Sequence, residues 1–124
     1  MDLFVYGTSL RGQPQGGLLA RYKRIPATVR GRIYQLKEGF PALTLTGDAV
    51  VYGELVVGVD LRLLRLLDRA EGVEQGLFAR VPVDVAIGLR RQNAEAYVMT
   101  DPQKRGGRAI QSGRWRGSVR RGGR

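Results

Sequence analysis

The 124-residue chain contains no cysteine and no histidine. The first absence excludes a disulfide framework and a cysteine nucleophile, and the two together exclude zinc or haem sites ligated by those residues. A Ser-His-Asp triad is excluded as well. Long apolar runs are also missing. No stretch approaches the ~18 residues needed to span a bilayer, and the N-terminus lacks the basic patch and apolar run of a signal peptide. The expectation is a cytoplasmic protein with no membrane partner. If the chain is an enzyme, a carboxylate, hydroxyl, lysine or backbone group must carry the chemistry.

Positive charge is what the chain has in excess: 21 Lys and Arg against 11 Asp and Glu, a net +10. The excess is unevenly placed. Residues 104–124 hold eight basic residues and no acidic one, whereas residues 1–103 hold 13 and 11. The body is therefore nearly neutral. The length suits one domain, residues 1–116, and the remaining 117–124 are expected to be a mobile basic Arg/Gly tail.

Hydrophobic periodicity gives the outline of the fold. Asp2–Tyr6 is a short β-prone run that enters a loop rich in Gly and Pro, Gly7 to Gly17. Leu18–Lys23 could form a short helix, which Pro26 stops. Strands are expected over 27–36, with a bend at Gly31, over 42–46 and, after a turn at Gly47-Asp48, over 50–57. The period then lengthens to about 3.6: Asp60 is a good N-cap, and Leu61, Leu63, Leu64, Leu66 and Leu67 form a wide apolar stripe ending near Glu71-Gly72. Strands 78–87 and 94–100 follow, joined as a hairpin across 88–93. About six strands, one or two short helices and no βαβ repeat imply an α+β fold. Closure into a small mixed β-barrel would remove the exposed edges.

Three places could carry chemistry. Tyr6-Gly7-Thr8-Ser9 ends a strand in a glycine turn, where backbone N–H groups and two hydroxyls could hold a carboxylate or phosphate. A plain strand-to-loop turn with Tyr6 in the core is the alternative. Asp68 and Glu71, three apart, share a face at the C-terminal end of the helix, where the dipole disfavours anions. A desolvated carboxylate there would have a raised pKa and could act as a base near neutral pH. A solvated surface pair bonded to Arg65 or Arg69 is the alternative. Glu54 is a further candidate if it faces the barrel interior, and otherwise the polar member of an alternating strand. Ser112 and Ser118 have no visible base.

Taken in order, these segments resemble one family. Phe4-Val5-Tyr6-Gly7-Thr8 with Arg11-Gly12-Gln13-Pro14, then Gly31-Arg32-Ile33-Tyr34-Gln35-Leu36, Phe40-Pro41-Ala42-Leu43 and Val51-Tyr52-Gly53-Glu54-Leu55 are similar to the γ-glutamylcyclotransferase-like (AIG2-like) family. So are Leu67-Asp68-Arg69-Ala70-Glu71-Gly72, Phe78-Ala79-Arg80-Val81-Pro82-Val83 and Ser112-Gly113-Arg114-Trp115. Ser9 stands where Leu or Asn is usual, and Phe78 where Tyr is common.

The resemblance implies a small barrel with flanking helices, a small-molecule γ-glutamyl substrate, and no cofactor or metal. It also implies non-hydrolytic release of 5-oxoproline, by attack of the substrate's α-amine on its own γ-carbonyl. By position Glu71 matches the general acid/base, Tyr6, Gly7, Thr8 and Ser9 match the substrate-cradling loop, and Arg80 would be a structural or anion-pairing partner. The amine released could come from a γ-glutamyl-amino acid, a γ-glutamyl-lysine isopeptide or a γ-glutamyl-protected biosynthetic intermediate. Two rival readings stand beside this one. One is nucleic-acid binding through the Arg/Gly tail, with Trp115 for stacking. The other is a non-catalytic member of the same family that binds a small ligand.

Overall fold

The computed structural model describes residues 1–7 and 16–116. Thr8, Ser9, Arg11–Pro14, Ser118 and the 117–124 tail, for which expectations were given above, lie outside the described residues. The described residues form six strands: β1 (Leu3–Val5), β2 (Arg24–Gln35), β3 (Pro41–Val56), β4 (Ala79–Ile87), β5 (Arg90–Val98) and β6 (Arg108–Ala109). A single α-helix, α1 (Leu61–Ala70), lies between β3 and β4. Strands β1, β3, β2, β4 and β5 close on one another, and β6 extends the sheet from β2. Pairing is mixed. β1 runs antiparallel to β3 and parallel to β5, while β2–β3 and β4–β5 are antiparallel hairpins. The expected α+β small mixed barrel is what the chain forms.

The three residues of β1 show why the barrel needs a helix outside it. Successive side chains on a strand point to opposite faces. Phe4 enters the barrel interior with Val29, Ile33, Leu43, Val51, Leu55 and Val85. Leu3 and Val5 point outward, where Leu64 and Leu67 of α1 cover them together with Phe78, Tyr97 and Met99. Both faces of β1 are thus buried. The helix is held at its start by Asp60, whose carboxylate accepts the N–H of Leu63 at 2.8 Å. Only part of its apolar stripe is used. Leu64 and Leu67 are buried, at about 1.5–3 kcal/mol each, while Leu61 and Leu66 are exposed.

The expected segmentation is corrected in four places. The strands placed at 42–46 and 50–57 are one strand, β3. Both halves pair with β2, so the chain does not reverse at Gly47-Asp48. The ladder steps instead from Gly31↔Ala49 to Arg32↔Thr44, and Leu45–Asp48 bulge outward. Gly31 is required there by contact, since a Cβ would lie 2.2 Å from the Thr44 carbonyl oxygen. The 88–93 connection is a two-residue turn, Gly88-Leu89, because the polar residues after it continue the ladder as β5 (Ile87↔Arg90). The short helix expected at 18–23 is a 3-10 turn over Gly16–Leu19, and β2 starts at Arg24. Finally β6, which has no hydrophobic pattern, pairs with β2 through Tyr34↔Ala109 and Gln35↔Arg108.

The last described residues complete the barrel. The carbonyl of Gly113 accepts the N–H of Tyr52, and buried Trp115 donates from Nε1 to Gln35 Oε1 at 2.8 Å. This indole is packed in the barrel core and is only 5% exposed. No helix of the described residues is long and apolar enough to cross a membrane.

Candidate active site

Glu71 occupies the C-cap of α1, and its N–H still bonds to the Leu67 carbonyl at 2.8 Å. Gly72 follows with φ +68°, a left-handed turn that ends the helix and sends the chain toward β4. The Glu71 carboxylate is largely buried and makes no hydrogen bond or ion pair among the described residues. Desolvation pushes its pKa up from 4.5 to about 7. It therefore exchanges a proton near neutral pH, as a general acid/base must.

Asp68, one turn earlier, has the opposite environment. Both of its oxygens accept from Arg80, from Nε at 2.8 Å and from Nη2 at 3.0 Å, and Oδ1 also accepts from the Tyr97 hydroxyl at 2.6 Å. The Arg80 bonds come first in holding its pKa below the usual carboxylate value. Two carboxylates three residues apart are thus driven in opposite directions: one stays ionised, and the other is poised to titrate. The expected alternative, a pair bonded to Arg65 or Arg69, is not what forms. The partner comes from β4 because the barrel wall, not the helix surface, faces this end of α1.

Arg80 also donates from Nη1 to Glu95 on β5, so it ties the helix end to two strands. Its role in the described geometry is to hold Asp68. Tyr97, which the sequence reading missed, is the next link. Its backbone carbonyl accepts from the Tyr6 hydroxyl at 2.7 Å, and that hydroxyl accepts from the N–H of Leu43 at 3.2 Å. Burial, with the Glu71 charge adding to it, raises the Tyr6 phenol far above its ordinary range. Tyr97 is raised as well, by burial first and then by its bond to Asp68, with a smaller contribution from Glu71. The charge of Glu71 therefore reaches the β1 terminus, where Tyr6 leads into Gly7. The only advance signal for Tyr97 was a polar-tipped aromatic between Ala96 and Val98.

Gly7 packs against the start of β3. A Cβ there would lie 2.4 Å from Cγ of Pro41, so no side chain fits. Tyr6, which leads into Gly7, lies near enough to Glu71 to be affected by its charge. Glu54 stands opposite Val5 on β3 and pairs with Arg24 at 2.8 Å, a cation whose side chain is only 3% exposed. Among the described residues no cluster of acidic side chains could hold a metal ion.

The chain is similar to the Bacillus subtilis protein YkqA (24% identity, TM-score 0.73), covering 92% of this chain but 39% of YkqA. It is also similar to an Arabidopsis thaliana protein, At3g28950.1 (26% identity, TM-score 0.67, 93% of this chain and 68% of that one). A mouse AIG2-like protein matches at 23% identity and TM-score 0.63, covering 80% and 76%. No curated protein sequence matches. Residues 3–117 match the gamma-glutamyl cyclotransferase, AIG2-like family, and the chain belongs to it.

Proposed function

We propose that the protein is a cyclotransferase that cleaves a γ-glutamyl amine or γ-glutamyl peptide, releasing 5-oxoproline and the free amine. The observation that carries this reading is the Glu71 carboxylate. It is largely buried, has no partner among the described residues, is poised near pH 7, and stands where the resemblance implies the acid/base. Glu71 in its ionised form takes a proton from the substrate's α-ammonium. The amine attacks the γ-carbonyl carbon, and the oxyanion that develops is held by N–H groups of the Tyr6–Ser9 segment. Glu71 then passes that proton to the departing nitrogen as the C–N bond breaks, takes the second proton from the attacking nitrogen, which becomes the lactam N–H, and gives it to the released amine, which leaves as the ammonium. No water is consumed, and each proton is accounted for.

General acid–base transfer of this kind supplies about 10²–10⁴-fold. Orientation of the flexible glutamyl chain in its cyclising conformation supplies much of the remainder. The Asp68–Arg80–Tyr97 group supports Glu71 indirectly, by fixing the end of α1 against the wall that carries Tyr6.

The test is incubation with a panel of γ-glutamyl amides, including γ-glutamyl-amino acids and a γ-glutamyl-lysine isopeptide, scored for 5-oxoproline. Release that disappears in Glu71→Gln while the fold is retained is the expected result. Saturable binding of panel members with no 5-oxoproline from any of them would overturn the enzymatic reading in favour of a ligand-binding family member.

A further inference from the structure

A cavity of about 600 Å³ has Trp115 in its wall. It is lined by Pro26, Ala27 and Tyr52 of the β2–β3 hairpin, by Arg114, Trp115 and Arg116 of the terminal segment, and by Ala86 and Gly88 at the β4–β5 turn. Neither Glu71 nor Tyr6 lines it. The volume falls within the range that holds small organic ligands.

Its charge is one-sided. No Asp or Glu lines the cavity, and among the described residues neither Arg114 nor Arg116 meets a carboxylate. The Arg114 guanidinium is instead held over the Tyr52 ring, 3.9 Å from its centroid, which fixes its place at the cavity wall. Arg116 is exposed beside it. Two cations with no carboxylate partner among the described residues, in the wall of a space also lined by proline, alanine and aromatic side chains, present a particular chemistry. They match an anion at one end of a ligand and an apolar group at the other. We infer that this cavity binds a small organic dianion carrying an apolar group, with the anion between Arg114 and Arg116 and the apolar group against Tyr52 and Pro26.

Trp115 is the only tryptophan in the chain, so its emission reports directly on this cavity. The probe is phenyl phosphate, titrated into the full chain at pH 8 and low salt, with inorganic phosphate, benzyl alcohol and a ten-residue oligothymidylate as comparison arms. A saturable change with phenyl phosphate is expected, with weaker binding of inorganic phosphate or benzyl alcohol alone. The double variant R114A/R116A should weaken binding by about tenfold or more. R116A alone alters an exposed side chain with no hydrogen bond or ion pair among the described residues, and should weaken it by about threefold. R120A/R121A/R124A and E71Q should bind as the unaltered chain does, which separates this site from general charge and from the proposed catalytic residue. The inference is overturned by any of three results: no saturable change with phenyl phosphate, equal loss in the R114A/R116A and R120A/R121A/R124A variants, or binding of the oligothymidylate alone.

Discussion

Replacement of Glu71 by glutamine separates the electrostatics of the site from its chemistry. The carboxyl is raised from 4.5 to about 7 by desolvation. A shift of that size corresponds to about 3 kcal/mol of differential stability. The sign follows from which state holds the proton. Below pH 4.5 the group is neutral in both folded and unfolded chains, and its burial carries no charge penalty. Between about pH 4.5 and 7 the unfolded chain releases the proton and the folded chain keeps it, so the wild-type protein loses stability as pH rises. Above pH 7 the loss is complete and constant.

Glutamine has no such titration. The stability of Glu71→Gln relative to wild type should therefore rise by about 3 kcal/mol between pH 4 and pH 8, whatever constant offset the buried amide introduces. Urea unfolding of both proteins at several pH values measures this difference. Every other titrating group is common to the two proteins and cancels. In the same variant 5-oxoproline release should fall by at least about 10²-fold. Wild-type turnover should rise along an acid limb with its midpoint near pH 7. A stability difference that stays flat from pH 4 to pH 8 would refute the claim that Glu71 is desolvated, and the catalytic argument with it.

Arg80→Met should cost about 3 kcal/mol, because it leaves the Asp68 and Glu95 carboxylates without their cation at a partly buried site; denaturant unfolding at pH 7 checks this. The depressed pKa of Asp68 contributes stability above its unfolded value that is lost as pH falls through the folded one. The gap between Arg80→Met and wild type should accordingly narrow in acid. Tyr6→Phe removes a hydroxyl that both donates to Tyr97 and accepts from Leu43. A loss of about 1–3 kcal/mol is expected from the orphaned N–H, read as a lower urea midpoint with unchanged slope. Gly7→Ala places a methyl 2.4 Å from a stiff proline ring and should lower stability by about 1–3 kcal/mol. Its activity loss, measured at a temperature where the variant is fully folded, should exceed what unfolding explains.

Much of the fold was legible because each surface of the barrel sorts its residues locally. Alternation marked β2, β4 and β5, and the change of period at Asp60 marked α1 together with its cap. What misled the reading were places where a distant partner overrode a local signal. Gly47-Asp48 has the composition of a turn, but β2 pairs on both sides of it and turns it into a bulge. Arg90–Asn93 looks like a loop because it is polar, yet its partners on β4 make it a strand. β6 has only two residues and exists because Tyr34 and Gln35 present an open edge.

The candidate site divides in the same way. By itself the sequence determined which groups could act: without cysteine or histidine, a carboxylate was left, and Glu71 at a helix terminus stood out by position. It also located most of the positive charge after residue 103, away from a nearly neutral body. Spacing could not say which of Asp68 and Glu71 would stay ionised, since both sit on one face of one helix. Only the tertiary structure decided that. Arg80 arrives from β4 and Tyr97 from β5 to take up Asp68, while Glu71 is left in a desolvated position with no partner among the described residues. A pKa depends on what crosses the fold to reach a group, and a partner twelve or twenty-nine positions away leaves no trace of that in the sequence around it.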